Sequence, residues 1–169
     1  MKLETIPFLK KLGSTLFLKI AVILIGIPVL ALCIFLVPYI GDYAAGLYPN
    51  IAYMKYLVLI DLYATAIPFY LALYETFKLL SYIDKNKAFS ELSVKALKNI
   101  KYCAITYSSL YIIGMPLFYL IAEVDDAPGI ILIGLLFIFA AIVVAVFAAV
   151  LQKLLKEAID IKSENDLTI

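Results

Sequence analysis

Residues 129–151 read GIILIGLLFIFAAIVVAVFAAVL, twenty-three residues with no charged side chain among them, and this stretch decides the fold. As a helix it is about 35 Å long, enough to cross the ~30 Å hydrocarbon core of a bilayer. Three more apolar runs precede it, at 17–40, 56–80 and 102–122. No water reaches the backbone in hydrocarbon, so each run must satisfy its amides internally as an α-helix. The chain therefore reads as an all-α, polytopic membrane protein, a single domain over 1–169 with four transmembrane helices in a bundle.

Composition agrees, with 65% hydrophobic and 16% charged residues, where a soluble domain carries about a quarter charged. The bilayer is the first partner this implies. The first run is too long for a signal-peptide core and lacks a small-residue cleavage site, so it is read as a retained span.

Lysine placement sets the orientation. Arg and His are absent, and of the fourteen lysines only Lys55 lies between spans one and two or spans three and four. The others flank the opposite ends, while Asp42, Glu123, Asp125 and Asp126 sit on the lysine-poor side. The positive-inside rule then predicts both termini, the loop 81–101 and the tail 152–169 in the cytoplasm. With the lysines lying along the membrane and no free-standing basic stripe, direct nucleic-acid binding is not expected.

The two cytoplasmic segments carry helix grammar. In the loop, AFSELSVKALKNIK places Ser90 as an N-cap, Glu91 in the first turn, and Phe89 and Val94 as a hydrophobic staple. This predicts an amphipathic helix from Ser90 into span three, with Lys95 and Lys98 on its polar face. The tail is expected to continue span four as a helix to about Lys162 and then to extend through Glu164, Asn165, Asp166, Leu167, Thr168 and Ile169. Phe89, Ser90, Lys95, Lys98 and these tail residues form the candidate partner-docking surface. The first fourteen residues read as a short interfacial segment, and 41–55 as an outer loop turned by its glycines and Pro49.

Within the spans, polar side chains are costly and mark function or an interface. Asp61, Thr65, Pro68, Ala72 and Glu75 recur at spacings of four and three, one face of span two. Asp61, with Thr65 and the neighbouring Tyr63, is the candidate ligand or proton site, since its only cation nearby in sequence is Lys55. Snorkelling to the headgroups is the competing account. Glu75 is expected in a structural ion pair with Lys78 and Lys19. The hydroxyls Thr106 and Ser109 read as helix glue, and Ala141, Ala145 and Ala149 as a small-residue packing ridge. Pro28, Pro68 and Pro116 each remove a helical hydrogen bond and are candidate hinges.

No catalytic signature is present. Without histidine, and with Cys33 and Cys103 far apart in depth, there is no metal site and no paired-cysteine chemistry. The nucleophile elbow, phosphate loop and dinucleotide glycine patterns are also missing. No cofactor is expected.

Two stretches together, IDKNKAFSELSVKALKNIKY and the C-terminal KEAIDIKSENDLTI, resemble the bacterial membrane family known as domain of unknown function 2975. The ENDLTI ending is the most specific part of the likeness. Members of that family look like neighbours of small helix-turn-helix regulators, so the resemblance implies a membrane partner for a cytoplasmic transcription factor. The expectation is thus a non-enzymatic, multi-pass protein of the bacterial cell membrane, open to homo-oligomerisation. The alternative is a small carrier or immunity-type protein that binds a small molecule, ion or peptide through Asp61. Reporter fusions test the topology: Asn50 is expected outside and Ile169 inside, and finding both on one side overturns the four-span reading.

Overall fold

The computed structural model describes residues 7–168, which form four long helices: α1 (Pro7–Leu47), α2 (Met54–Asp84), α3 (Glu91–Asp125) and α4 (Gly129–Leu167). Each contains a stretch long and apolar enough to cross a membrane. The expected interfacial residues before Pro7, and Ile169 of the docking tail, lie outside the described residues.

The helices do not close into a bundle. Instead α1 packs on α2, α2 on α3 and α3 on α4, with a minor contact of α1 on α3, and among the described residues α4 approaches neither α1 nor α2. In water such a row would leave apolar faces bare. In lipid they are already solvated, and helices associate where small residues let backbones come close. On α4, Gly134, Ile138, Ala141, Ala145 and Ala148 are buried at spacings of four and three, the stripe that faces α3. A Cβ on Gly134 would come 2.9 Å from Met115 Sδ.

Burial concentrates at the two ends of the row. At the acidic end, Ala44, Met54, Val58 and Ile121 form a core, with Tyr48 donating to Leu120 O at 2.8 Å. At the lysine-rich end the first turns of α3 bury Ser93, Val94, Ala96, Leu97 and Ile100.

Several segments are more helical than the sequence suggests. The expected outer loop 41–55 shrinks to 48–53, because α1 runs through Gly41 and Gly46 to Leu47. Packing overrides glycine's helix penalty there: α2 crosses so close that a Cβ on Gly41 would meet Leu59 at 3.1 Å, and Ala44 is fully buried. The expected extended tail is also a correction, since α4 continues to Leu167. Beyond Gly134 the chain holds no Gly or Pro to stop it. Lys153/Glu157, Lys156/Asp160 and Lys162/Asp166 carry opposite charges four apart, a spacing that supports helix. The helices are also continuous through Pro28, Pro68 and Pro116.

Ser90 does cap α3, with extended backbone at φ −140°. Its hydroxyl, however, donates back to Lys87 O at 2.5 Å instead of accepting from the first turn, and Ser93 Oγ shares that acceptor at 3.1 Å. Nor does the staple form as expected: Phe89 stays exposed while Val94 is buried.

Between α1 and α2 the lysine-rich end is clamped by polar contacts. Lys19 Nζ lies 2.6 Å from Asp84 Oδ2, both side chains mostly buried, and the Thr15 hydroxyl donates to the same carboxylate. Removing the acid takes away the carboxylate that Lys19 and Thr15 share. Asp84→Ala should lower the unfolding free energy of the detergent-solubilised protein by about 1–3 kcal/mol, and a change below ~0.5 kcal/mol would exclude the clamp as a structural support.

A carboxylate seam between the second and third helices

The polar stripe of α2 faces α3. Thr65 is 3% exposed and Pro68 is buried, while Asp61 and Glu75 are half-buried above and below them. Antiparallel α3 brings Gly114 against Asp61, and a Cβ built there would come 2.6 Å from the carboxylate carbon. Only glycine leaves room for the acid at this depth. Asp61 Oδ2 is buried and makes no hydrogen bond within the described residues. A buried polar atom without a partner is costly in hydrocarbon, and it identifies this carboxylate as a site candidate.

One turn further along, Thr65 Oγ1 donates to Leu62 O at 2.7 Å. Tyr111 of α3 lies beside Thr65, Tyr107 and Asp61. Aromatic rings continue the seam, with centroids 6.5 Å apart for Phe69 and Tyr107, 4.8 Å for Tyr107 and Tyr111, and 5.9 Å for Tyr111 and Phe137. A carboxylate thus heads a ladder of hydroxyls and rings. That arrangement can receive a cation or a proton.

Of the three residues proposed together from sequence, Asp61 and Thr65 share the seam. Tyr63 points the other way, donating to Cys33 O on α1 at 2.9 Å. Tyr107, Tyr111 and Gly114 were missed, although their spacings of four and three place them on one face of α3. Reading that face as a complement to the acidic face of α2 would have found them.

The expected ion-pair group divides in two. Glu75 Oε1 bonds Lys78 at 3.1 Å, and its Oε2 is a second buried oxygen without a hydrogen bond in the described residues. Lys19 does not join them. It lies one layer nearer the lysine-rich end, on Asp84, with Phe77 5.3 Å below its ammonium.

The candidate docking residues gather at that same end. Phe89, Lys95 and Lys98 are exposed, Ser90 is half-buried, and Glu164, Asn165, Asp166, Leu167 and Thr168 are exposed on the last turn of α4 and its cap. Lys101 Nζ donates to Gln152 Oε1 at 3.3 Å and so marks the antiparallel register of α3 on α4. Eleven residues on from that bond, Ser90 comes level with Ser163, so the start of α3 and the end of α4 lie at one height. At the opposite end, Asp42 lies 2.6 Å from Lys55 and holds its ammonium pKa above the usual lysine range.

A family described as "Protein of unknown function (DUF2975)" matches residues 39–169, which include the seam and both candidate docking segments. "Uncharacterized membrane protein YoaS" of Bacillus subtilis (strain 168) is 77% identical over 156 residues, covering 92% of this chain and 98% of that protein. No solved structure matches.

The Gly114 contact can be tested by a double-mutant cycle. Gly114→Ala should destabilise the protein by roughly 1–3 kcal/mol through overlap with Asp61. Most of that cost should disappear in an Asp61→Ala background, whereas additive effects in detergent unfolding would show that the two residues do not meet.

Proposed function

The chain belongs to the DUF2975 family, and on that footing we propose a non-enzymatic, multi-pass protein of the bacterial cell membrane, with both termini in the cytoplasm. It acts as the sensory or regulatory partner of a cytoplasmic helix-turn-helix transcription factor. The observation that carries this reading is the continuity of α3 and α4. Each is one unbroken helix leading from the interior seam to a surface beyond the expected spans. From Leu151, α4 runs a further sixteen residues to Leu167, about 24 Å. Leu154, Ile161 and Leu167 are exposed along that extension, and Phe89 and Leu92 are exposed at the start of α3. Apolar side chains outside the hydrocarbon, rimmed by lysine and acid, suit a protein partner. The helical tail favours helix-in-groove docking over strand addition.

A rearrangement at Asp61 moves α2 against α3, and rigid helices carry the shift to the docking end. This supplies the two sites and the connecting element that regulation needs. A second reading rests on the unpartnered Asp61 oxygen alone: a carrier or immunity-type protein that binds a small molecule, ion or peptide. It separates cleanly, because Asp61→Asn would then abolish function without any effect on partner recovery.

Co-expression with a helix-turn-helix regulator encoded beside this gene, followed by purification from membranes, is the measurement. The regulator should co-purify with the intact chain and be lost with Ile161→Glu or on removal of 164–169, at matched membrane levels. Equal recovery from all forms, recovery from none, or the absence of such a neighbouring gene would sink the proposal.

A further inference from the structure

One face of α3 is uncovered along most of its length. Lys98, Tyr102, Ile105, Ser109, Ile112 and Pro116 follow at spacings of four and three and are all exposed, so they form a single stripe. At its lysine-rich end two ammonium groups converge on Tyr102, which is 52% exposed: Lys101 Nζ lies 4.9 Å and Lys98 Nζ 5.9 Å from the ring centroid. Lys19, Lys55 and Lys78 each pair with a carboxylate, but neither Lys98 nor Lys101 does so among the described residues. Lys101 is held to α4 through Gln152 instead.

Ten residues along the stripe from Tyr102, about 15 Å, lies Ile112. That distance matches one leaflet of a ~30 Å hydrocarbon core. There the stripe meets an apolar groove of about 620 Å³ between α3 and α4, lined by Ile112, Met115, Pro116, Tyr119, Leu120 and Ile131.

We propose that this stripe and groove bind one anionic phospholipid. Its phosphate sits between Lys98 and Lys101 beside the Tyr102 ring, and one acyl chain follows Ile105 to the mouth of the groove at Ile112. Charge selects the headgroup: two uncompensated ammonium groups attract a net anion and disfavour a lipid that brings its own ammonium. Depth selects a lipid over a soluble phosphate, because the apolar groove begins one leaflet below the charges. Lys98 is also a candidate docking residue, but the site requires only that the chain spans a membrane and is tested on the chain without a partner, so it stands or falls separately from the regulatory partner.

Native mass spectrometry of the full chain from mixed phosphatidylglycerol and phosphatidylcholine micelles tests the site. The wild type should retain one phosphatidylglycerol in preference to phosphatidylcholine, and excess glycerol phosphate should not displace it. The double variant K98Q/K101Q should retain roughly tenfold less, while K153Q/K156Q, an equal charge loss on exposed α4, should behave as wild type. Equal losses in the two variants, no headgroup preference, or displacement by glycerol phosphate would each overturn the site. Should K98Q/K101Q not fold, wild-type protein with phosphatidylglycerol carrying a photoreactive chain end gives an independent readout: adducts concentrated within 112–119 support the site, and adducts spread over all four helices refute it.

Discussion

Nearly everything that joins the α1–α2 pair to the α3–α4 pair passes through the contact between α2 and α3. The outer helices hang on the inner two, and among the described residues α4 touches only α3. That contact has an unusual composition for hydrocarbon, since its apolar residues are interrupted by two carboxylates, a threonine and two tyrosines. A bare ionic group there is disfavoured by several kcal/mol. The seam accommodates Asp61 through an absence, the missing side chain of Gly114. The acid and the glycine therefore form one structural unit, and the position of α3 along α2 is tied to the charge-bearing group it encloses.

Lipid explains why so thin an arrangement suffices. Large apolar side chains such as Phe17, Ile67, Ile113 and Phe147 point outward along the whole row, and in a bilayer they are already in a favourable solvent. What has to be buried is the polar material, together with the places where backbones cross. Thr65, Ser93, Ser108 and Thr15 are accordingly among the best-buried side chains, beside small residues such as Ala44 and Ala96. Ser108, Thr106 and Ser109 return their hydroxyls to carbonyls four residues back on their own helix. They serve α3 itself, and among the described residues they make no bond to a neighbouring helix.

The presence of four helices long and apolar enough to cross a membrane was legible because length and apolarity answer to one quantity, the thickness of the hydrocarbon. The face shared by Asp61, Thr65, Pro68, Ala72 and Glu75 was legible from periodicity alone. What lay opposite was not, because periodicity orients a helix without choosing its neighbour. Nothing local marks Gly114 as the residue that Asp61 meets, and nothing local sends Tyr63 to α1 while Thr65 turns to α3. Helix ends were misjudged where turn-forming residues were given more weight than packing. Gly41 and Gly46 permit a loop, yet the burial of Ala44 keeps them helical. At the tail, charges four apart extend the helix beyond the point where apolar residues thin out.

The peripheral helix α1 carries a consequence for sequence drift. Along its middle it is gripped by its main chain: Tyr70 and Tyr63 donate to the carbonyls of Gly26 and Cys33. Such bonds recognise a peptide unit and are indifferent to the side chain it bears. Between Leu16 and Leu36, the apolar residues that α1 exposes, such as Phe17, Ile23, Leu24, Ile27, Ile34 and Phe35, answer only to the lipid around them. The alphabet there is loose, and one apolar letter can replace another without the rest of the protein registering the change.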